Sequence, residues 1–226
     1  MQSNQSILLD QLLHEKRAQS EEVISETDFF EFFSIEQILK DLDLGNEEID
    51  EGIIDGGADG GIDGFYIFVN DILVADDTDI STFGKTVRIN LTLFQTKASR
   101  GFTETAVDKI AHTVGDIFDF SKELADLKSL YRPQLLSKAA LFKKVSLELA
   151  TKLPELTINI HYVTKGTSPS PSQTARANHV ERQVTELFPD SNSTFQFVGC
   201  SELLSISRRP IADDFKSHLF GRTIAY

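Results

Sequence analysis

The chain changes character at the stretch Asp55-Gly56-Gly57-Ala58-Asp59-Gly60-Gly61-Ile62-Asp63-Gly64-Phe65-Tyr66-Ile67-Phe68-Val69, where a glycine-rich loop runs straight into an apolar strand. Upstream of this stretch the apolar residues recur at helical spacing, and downstream they alternate as strand residues do. We therefore expect a single domain of 226 residues, with a helical N-terminal part (residues 1–50) and a mixed-sheet core (residues 51–226).

The N-terminal part is predicted to be helical. Residues 5–33 carry apolar side chains at roughly helical spacing. Ser34 and Gln37 have the form of a capping box, which predicts that a second helix opens there. Asn46 is expected to cap a short acidic turn that follows this helix.

The core is predicted to begin with strands and to continue with helices and strands in alternation. The first three strands are expected to form a meander and are Gly64–Val69, Ile72–Ala75 and Thr86–Lys97. Helices are expected from about residue 103, after residue 133 and over 173–188, with strands at 156–164 and 195–198 and a helical turn at 202–205. This order predicts an α/β fold in which helices flank a mixed sheet.

Charge is distributed very unevenly along the chain, whose net charge is -13. Residues 1–80 carry 21 acidic and 3 basic side chains, and residues 81–226 carry 14 acidic and 19 basic ones. A nucleic acid would therefore have to be bound mainly by the second half of the chain. The alternative interpretation is that the acidic side chains of the first half simply lie on a solvated helical surface.

Composition excludes several classes of protein. Cys200 is the only cysteine, which excludes an intrachain disulfide and a cysteine-rich zinc site, and we expect it to be buried. The first residues do not resemble a signal peptide, and no stretch is long and apolar enough to span a bilayer. We expect a cytoplasmic protein with no membrane partner and no small-molecule cofactor.

Three polar residues are predicted to meet at one edge of the sheet. Asp63 heads the apolar face of its strand, and Gln95 and Lys97 end the apolar face of theirs, because side chains two apart share a face. A carboxylate, an amide oxygen and an ammonium group that converge there would suit Mg²⁺ and phosphate chemistry. Spacing alone favours a simpler interpretation, in which Asp63 caps a turn and Lys97 is an exposed strand end. The neighbouring glycines favour a binding site, since they let the backbone approach a ligand.

A calcium loop is the rival interpretation of the same stretch. An EF-hand needs oxygen ligands at alternate positions and a glutamate at the twelfth, whereas Asp55, Asp59 and Asp63 are four residues apart. The sequence therefore favours Mg²⁺ over Ca²⁺.

Three segments carry a resemblance to a known family: Phe30-Glu31-Phe32-Phe33, Asp59-Gly60-Gly61-Ile62-Asp63-Gly64-Phe65-Tyr66-Ile67 and Phe94-Gln95-Thr96-Lys97. Together they resemble the N-terminal nuclease-like region of the abortive infection phage resistance (AIPR) family. They are also similar, more distantly, to Mrr-type restriction endonucleases, and both groups belong to the PD-(D/E)XK phosphodiesterase superfamily. The resemblance covers the region of residues 25–120. It implies a restriction-endonuclease-like fold that cuts DNA with Mg²⁺ or Mn²⁺ in anti-phage defence.

The resemblance also implies roles for individual residues. By motif position, Asp63 would bind the metal, Gln95 would replace the usual second acid as Mrr-like members do, and Lys97 would be the catalytic lysine. Glu31 would be the helix acid that contacts a metal-bound water, although glutamates on such helices also simply face solvent. AIPR proteins continue into a large second region, so the chain is expected to be a fragment or a short relative.

Further residues that could contact DNA come after the Gln-x-Lys motif in the sequence. Ser99, Arg100 and Lys109 are placed to touch phosphate if DNA lies along the cleft, and a solvated helix start is the alternative. Cutting both strands needs two sites, which is compatible with a homodimer. The alternative function is a catalytically inactive nuclease-fold module that binds nucleic acid or a partner protein, because Gln95 leaves the site with few charges.

Overall fold

The computed structural model describes residues 3–20, 24–54 and 56–211, in which seven α-helices and five β-strands follow one another. The helices are α1 Asn4–Ala18, α2 Glu26–Leu39, α3 Asn46–Gly52, α4 Glu104–Ile117, α5 Pro133–Leu149, α6 Pro171–Leu187 and α7 Cys200–Arg208. The strands are β1 Gly64–Val69, β2 Ile72–Leu73, β3 Arg88–Lys97, β4 Glu155–Thr164 and β5 Asn192–Val198. The prediction of an α/β fold with an N-terminal helical segment is confirmed.

The five strands form one mixed sheet in the order β2-β1-β3-β4-β5. The prediction that the first three strands form a meander is wrong, because β1 lies between β2 and β3 and pairs antiparallel with both. Strands β3, β4 and β5 run parallel to one another. The hairpin of β1 and β2 turns tightly at Asn70 and Asp71, both of which have positive φ, as such a two-residue turn requires. The parallel strands are connected through α4 and α5 and then through α6, so their C-terminal ends lie together at one edge.

Helices cover both faces of the sheet, and each face has its own apolar cluster. Residues of α4, α5 and α6 pack with Phe65, Leu93 and Ile160 on one face. Residues of α1, α2 and α7 pack with Phe94 and Val163 on the other. Strand alternation divides β3 between the two layers, because successive side chains point to opposite faces. Any residue at the end of β3 therefore faces either α4 or α2.

The stretch of residues 5–33, predicted to be helical, contains two helices. α1 ends at Ala18 and α2 begins at Glu26, and residues 21–23 between them lie outside the described residues. The Ser25 side chain accepts a hydrogen bond of 3.1 Å from the main-chain N–H of Asp28 and so caps α2. This local cap starts the second helix within that stretch.

The predicted capping box at Ser34 is also wrong. Ser34 is fully buried in the middle of α2, and its hydroxyl donates to the Phe30 carbonyl at 2.6 Å. The helix continues through this position because Phe30, Phe33, Ile35 and Leu39 all pack against the sheet. Apolar burial outweighs the weak preference of serine for helix ends.

The strand predictions for the core agree with the structure to within a few residues. β1 has the predicted bounds, while β2 is shorter than predicted and ends at Leu73. Cys200 is fully buried, as predicted, at the start of α7. In the part of the chain that the structure describes, no helix has the length and apolar character needed to cross a membrane.

Candidate active site

The start of β1 lies beside the end of β3. Gly64 of β1 pairs with Phe94 of β3 in the antiparallel ladder. The main-chain N–H of Asp63 donates to the Phe94 carbonyl at 2.7 Å and extends that ladder by one residue. Asp63 therefore stands directly beside Gln95 and Thr96, although 32 residues separate it from Gln95 in sequence.

One oxygen of Asp63 receives the hydrogen bonds that hold this side chain. Oδ2 accepts from the main-chain N–H of Thr96 at 2.6 Å, from the Thr96 hydroxyl at 3.2 Å and from the side-chain amide of Gln95. Oδ1 takes none of these bonds. The carboxylate is thus fixed to the sheet through Oδ2.

Asp63 is only 6% exposed, which has an electrostatic consequence. Burial raises the pKa of its carboxyl above the usual range, because the charged form loses solvation. The hydrogen bond from the Thr96 N–H and the positive charge of Lys97 oppose this rise, and the negative charge of Asp59 adds to it. A cation at this point would favour the ionised carboxylate.

Gln95 is 2% exposed and is held by its amide nitrogen. Besides the bond to Asp63, Nε2 donates to the Thr96 carbonyl at 3.3 Å. Oε1 lies on the α4 side, 3.3 Å from the position that a Cβ on Gly61 would take. The amide nitrogen of Gln95 thus donates to Asp63, and the amide oxygen is left to accept from, or bind to, a further ligand. A 180° flip of the amide would exchange the positions of the oxygen and the nitrogen.

The helical layer contributes Glu31 from α2. The Thr96 hydroxyl, which points toward this layer, lies 3.2 Å from Glu31 Oε2. Glu31 is partly buried and contributes to raising the pKa of the buried Tyr66 hydroxyl, an effect dominated by burial. The structure therefore brings Glu31, Asp63 and Gln95 together around Thr96.

Lys97 is the exposed last residue of β3. Its ammonium is close enough to lower the pKa of Asp63 by Coulomb attraction. It is paired in the parallel ladder with Thr164, the last residue of β4. The Lys97 ammonium thus lies near the Asp63 carboxylate, at the edge of the sheet where the parallel strands end.

The glycine-rich loop closes the site on the α4 side. Gly61 has φ of +79°, and a Cβ there would lie 3.0 Å from Lys109 Cβ, so only glycine fits without strain. The Gly60 carbonyl accepts from the Thr113 hydroxyl at 2.7 Å, which ties the loop to α4. Asp59 accepts from the Gly61 N–H at 2.6 Å and shapes the turn.

The three predicted phosphate contacts have different surroundings. Ser99 is exposed and donates to the Gly101 carbonyl at 3.3 Å. Arg100 is ion-paired with Asp10 of α1 at 2.7 Å, which directs it toward the acidic helical layer. Lys109 is exposed on α4 beside Gly61. Lys109 is therefore the cation among these three that borders the glycine loop.

Within residues 3–20, 24–54 and 56–211, no group of three or more His, Cys, Asp or Glu side chains is arranged to hold a metal ion. The donor set at the sheet edge is instead two carboxylates and one amide. Oxygen donors of this kind fit a hard cation such as Mg²⁺, which keeps several waters and needs few protein ligands. Comparisons with protein-family models, with curated proteins and with solved structures find no match for this chain.

Sequence reasoning missed Thr96 and Thr113. Thr96 has the parity opposite to Gln95 and Lys97, so it points to the face on which α2 and Glu31 pack. Thr96 could have been predicted from the sequence, because it lies between Gln95 and Lys97 and its side chain points to the opposite face, toward an acidic residue on a helix. Thr113 carries no such signal, because its contact with Gly60 depends on how α4 packs against the loop.

Proposed function

We propose that this protein is a Mg²⁺- or Mn²⁺-dependent nuclease that hydrolyses phosphodiester bonds in DNA. The observation that carries the proposal is the convergence of Asp63, Gln95 and Glu31 beside Lys97 at one edge of the sheet. The resemblance of the same segments to AIPR and Mrr-type nucleases supports it, as does the mixed sheet between helical layers. We accordingly propose a restriction-endonuclease-like core that acts in cytoplasmic anti-phage defence.

The residues that would hold the cation are Asp63 through Oδ1, Gln95 through its amide oxygen and Glu31 through a water or directly. The bound ion would supply Lewis-acid neutralisation of charge that develops on the phosphate. Asp63 would be preorganised for this role, because its other oxygen is already fixed by Thr96 and Gln95.

Lys97 would orient the attacking water or hold the charge of the phosphate. Its exposure keeps the ammonium accessible to a substrate, and its charge already acts on the Asp63 carboxyl. Ser99 follows Lys97 by two residues and Lys109 lies beside Gly61, and both would contact neighbouring phosphates. These groups belong to residues 81–226, which carry the excess of basic side chains.

Plasmid cleavage tests the proposal. The wild-type chain is expected to nick or linearise supercoiled DNA with Mg²⁺ or Mn²⁺ and not with EDTA, and Lys97→Ala should slow this by about 100-fold or more. The matched control is Lys85→Ala, since Lys85 is another exposed lysine but precedes the opposite end of β3. Equal cleavage by Lys97→Ala and the wild type would reject the assignment.

A second candidate function is DNA binding without cleavage. It is favoured by Gln95, which leaves the site one carboxylate short of two acids on neighbouring strands. Such a module would show binding whose log affinity falls linearly with log salt concentration, and no nicking with any divalent ion. The same plasmid assay, combined with a binding titration at several salt concentrations, separates the two functions.

A further inference from the structure

One hydroxyl lies between the two carboxylates of the candidate site. Thr96 Oγ1 is 3.2 Å from Asp63 Oδ2 and 3.2 Å from Glu31 Oε2. The two carboxylate oxygens are therefore no further apart than twice that distance. A hydroxyl carries one proton, so it donates fully to only one of these oxygens at a time.

The two carboxylates reach this hydroxyl from different elements of the fold. Asp63 Oδ2 also accepts from two N–H donors, the main chain of Thr96 and the amide of Gln95. Glu31 belongs to α2, and the Thr96 hydroxyl links its carboxylate to the sheet. Thr96 itself is rigidly placed, because it is 5% exposed and pairs with Val163 in the parallel ladder between β3 and β4.

We propose that Thr96 is a positioning residue whose hydroxyl ties the Glu31 carboxylate to the Asp63 carboxylate, so that both acids face one divalent cation. This inference rests on the proposed function. Thr96 acts through Glu31 and Asp63, and its own hydroxyl does not touch the reacting atoms. The residue between Gln and Lys in the motif thereby joins the sheet to the helical layer.

The physical reason is that two carboxylates repel each other until a cation arrives. A glutamate side chain at a partly buried position gains rotamer freedom by turning toward solvent. A charge-assisted hydrogen bond from a fixed hydroxyl opposes both tendencies and keeps Glu31 near Asp63. Partners that orient metal-binding groups change metal affinity by about 10- to 100-fold when they are removed.

The test compares Thr96→Val, which keeps the shape but removes the hydroxyl, with Thr96→Ser, which keeps the hydroxyl. Binding of Mn²⁺ is measured by calorimetry on the full chain, without DNA, in each variant and in combination with Glu31→Gln. The control is Thr92→Val, since Thr92 is an equally buried threonine on the same face of β3 whose hydroxyl bonds to Asn90 at 3.3 Å. Thermal unfolding without metal is recorded for every variant.

Thr96→Val is expected to weaken Mn²⁺ binding by about 10-fold or more, Thr96→Ser to bind within about twofold of the wild type, and Thr92→Val to bind as the wild type does. In the Thr96→Val background, Glu31→Gln should cause a smaller loss than it causes in the wild type, because both changes act on the same contact. Unchanged affinity in Thr96→Val, or the same loss from Glu31→Gln in both backgrounds, would overturn the inference and leave the metal site standing. Absence of Mn²⁺ binding by the wild type, or equal binding by Asp63→Asn, would overturn the proposed function and the inference together.

Discussion

The main-chain N–H of Thr96 lies 2.6 Å from Asp63 Oδ2 and donates a hydrogen bond to it. The bond joins the head of β1 to the end of β3 across a buried edge of the sheet. It fixes the carboxylate without help from a metal, and yet the carboxylate remains poorly solvated. Stability without metal and the proposed metal binding would therefore be in competition at this residue.

Asp63→Asn is expected to stabilise the metal-free protein near neutral pH by about 0.5–2 kcal/mol. The pKa of Asp63 is raised by burial, so its contribution to stability is largest below the ordinary value of 3.8 and is lost as pH rises through the higher folded value. Asparagine removes the buried charge and retains an oxygen for the Thr96 N–H. Chemical denaturation at pH 7 with EDTA measures the change, and the variant should gain no stability from added Mn²⁺. A less stable variant would show that the carboxylate is well compensated.

Gln95→Glu is expected to separate metal affinity from metal-free stability. The change removes the Nε2 donor to Asp63 and adds a second buried carboxylate, which should cost about 1–3 kcal/mol without metal. With Mn²⁺ the added charge should tighten binding, so the variant should gain more thermal stability from the ion than the wild type gains. Equal gains in the two proteins would argue against Gln95 as a ligand.

Gly61→Ala is expected to destabilise the protein by about 1–3 kcal/mol and to weaken divalent-ion binding. Positive φ strains alanine, and its Cβ would press on Lys109 Cβ and on Gln95 Oε1. Gly57→Ala is the matched control from the same loop, because a Cβ at Gly57 would meet nothing within 4 Å. Unfolding curves of the two variants, with and without Mn²⁺, compare them directly. A similar loss of stability in both variants would mean that the strain and the close contacts at Gly61 are not the cause, and that a general change in loop entropy is.

His161 is expected to make the fold sensitive to acid. It is 9% exposed and stacks on Phe94 with 5.2 Å between ring centroids, and among the described residues its Nδ1 has no hydrogen-bond partner. Burial lowers the pKa of His161 from 6.5 to about 4. Because the unfolded chain binds a proton at His161 more readily than the folded protein does, the free energy of unfolding is highest above pH 6.5. It decreases as the pH falls from 6.5 through the folded pKa of about 4.

His161→Phe should remove this dependence. The wild type should lose about 3 kcal/mol more than the variant between pH 6.5 and pH 4. Urea denaturation at several pH values gives both curves. Parallel curves would mean that His161 does not titrate over this range.

Local pattern predicted the strand bounds well because strong signals mark the strand ends, but it did not predict the order of the first three strands in the sheet. β1 starts at a glycine and ends at the Asn70-Asp71 turn, and β3 alternates up to Lys97. Parity placed Asp63 and Gln95 on one face, but their direct contact depends on β1 lying next to β3, which the predicted meander did not give. Helix bounds near Ser25 and Ser34 could not be predicted, because one serine caps a helix and the other is buried within it.

The remaining part of the site depends on tertiary packing. Whether Glu31 turns toward the sheet is decided by how α2 docks on the face that carries Phe94, which no local pattern records. The tie between Thr113 and Gly60 depends in the same way on the packing of α4. The roles of Asp63, Gln95, Lys97 and Glu31 in catalysis stay predictions.

Cys200 makes the layer formed by α1, α2 and α7 chemically addressable. It is the only thiol in the chain and is fully enclosed, and its main-chain N–H is bonded to the Gly166 carbonyl at 2.7 Å. A thiol reagent can alkylate it only when this layer lifts from the sheet, so the labelling rate reports that opening event. The alkylation rate of Cys200 would therefore measure how often the helical layer that carries Glu31 opens. Cys200 is remote in sequence from the Gln-Thr-Lys segment, so labelling it leaves that segment unchanged.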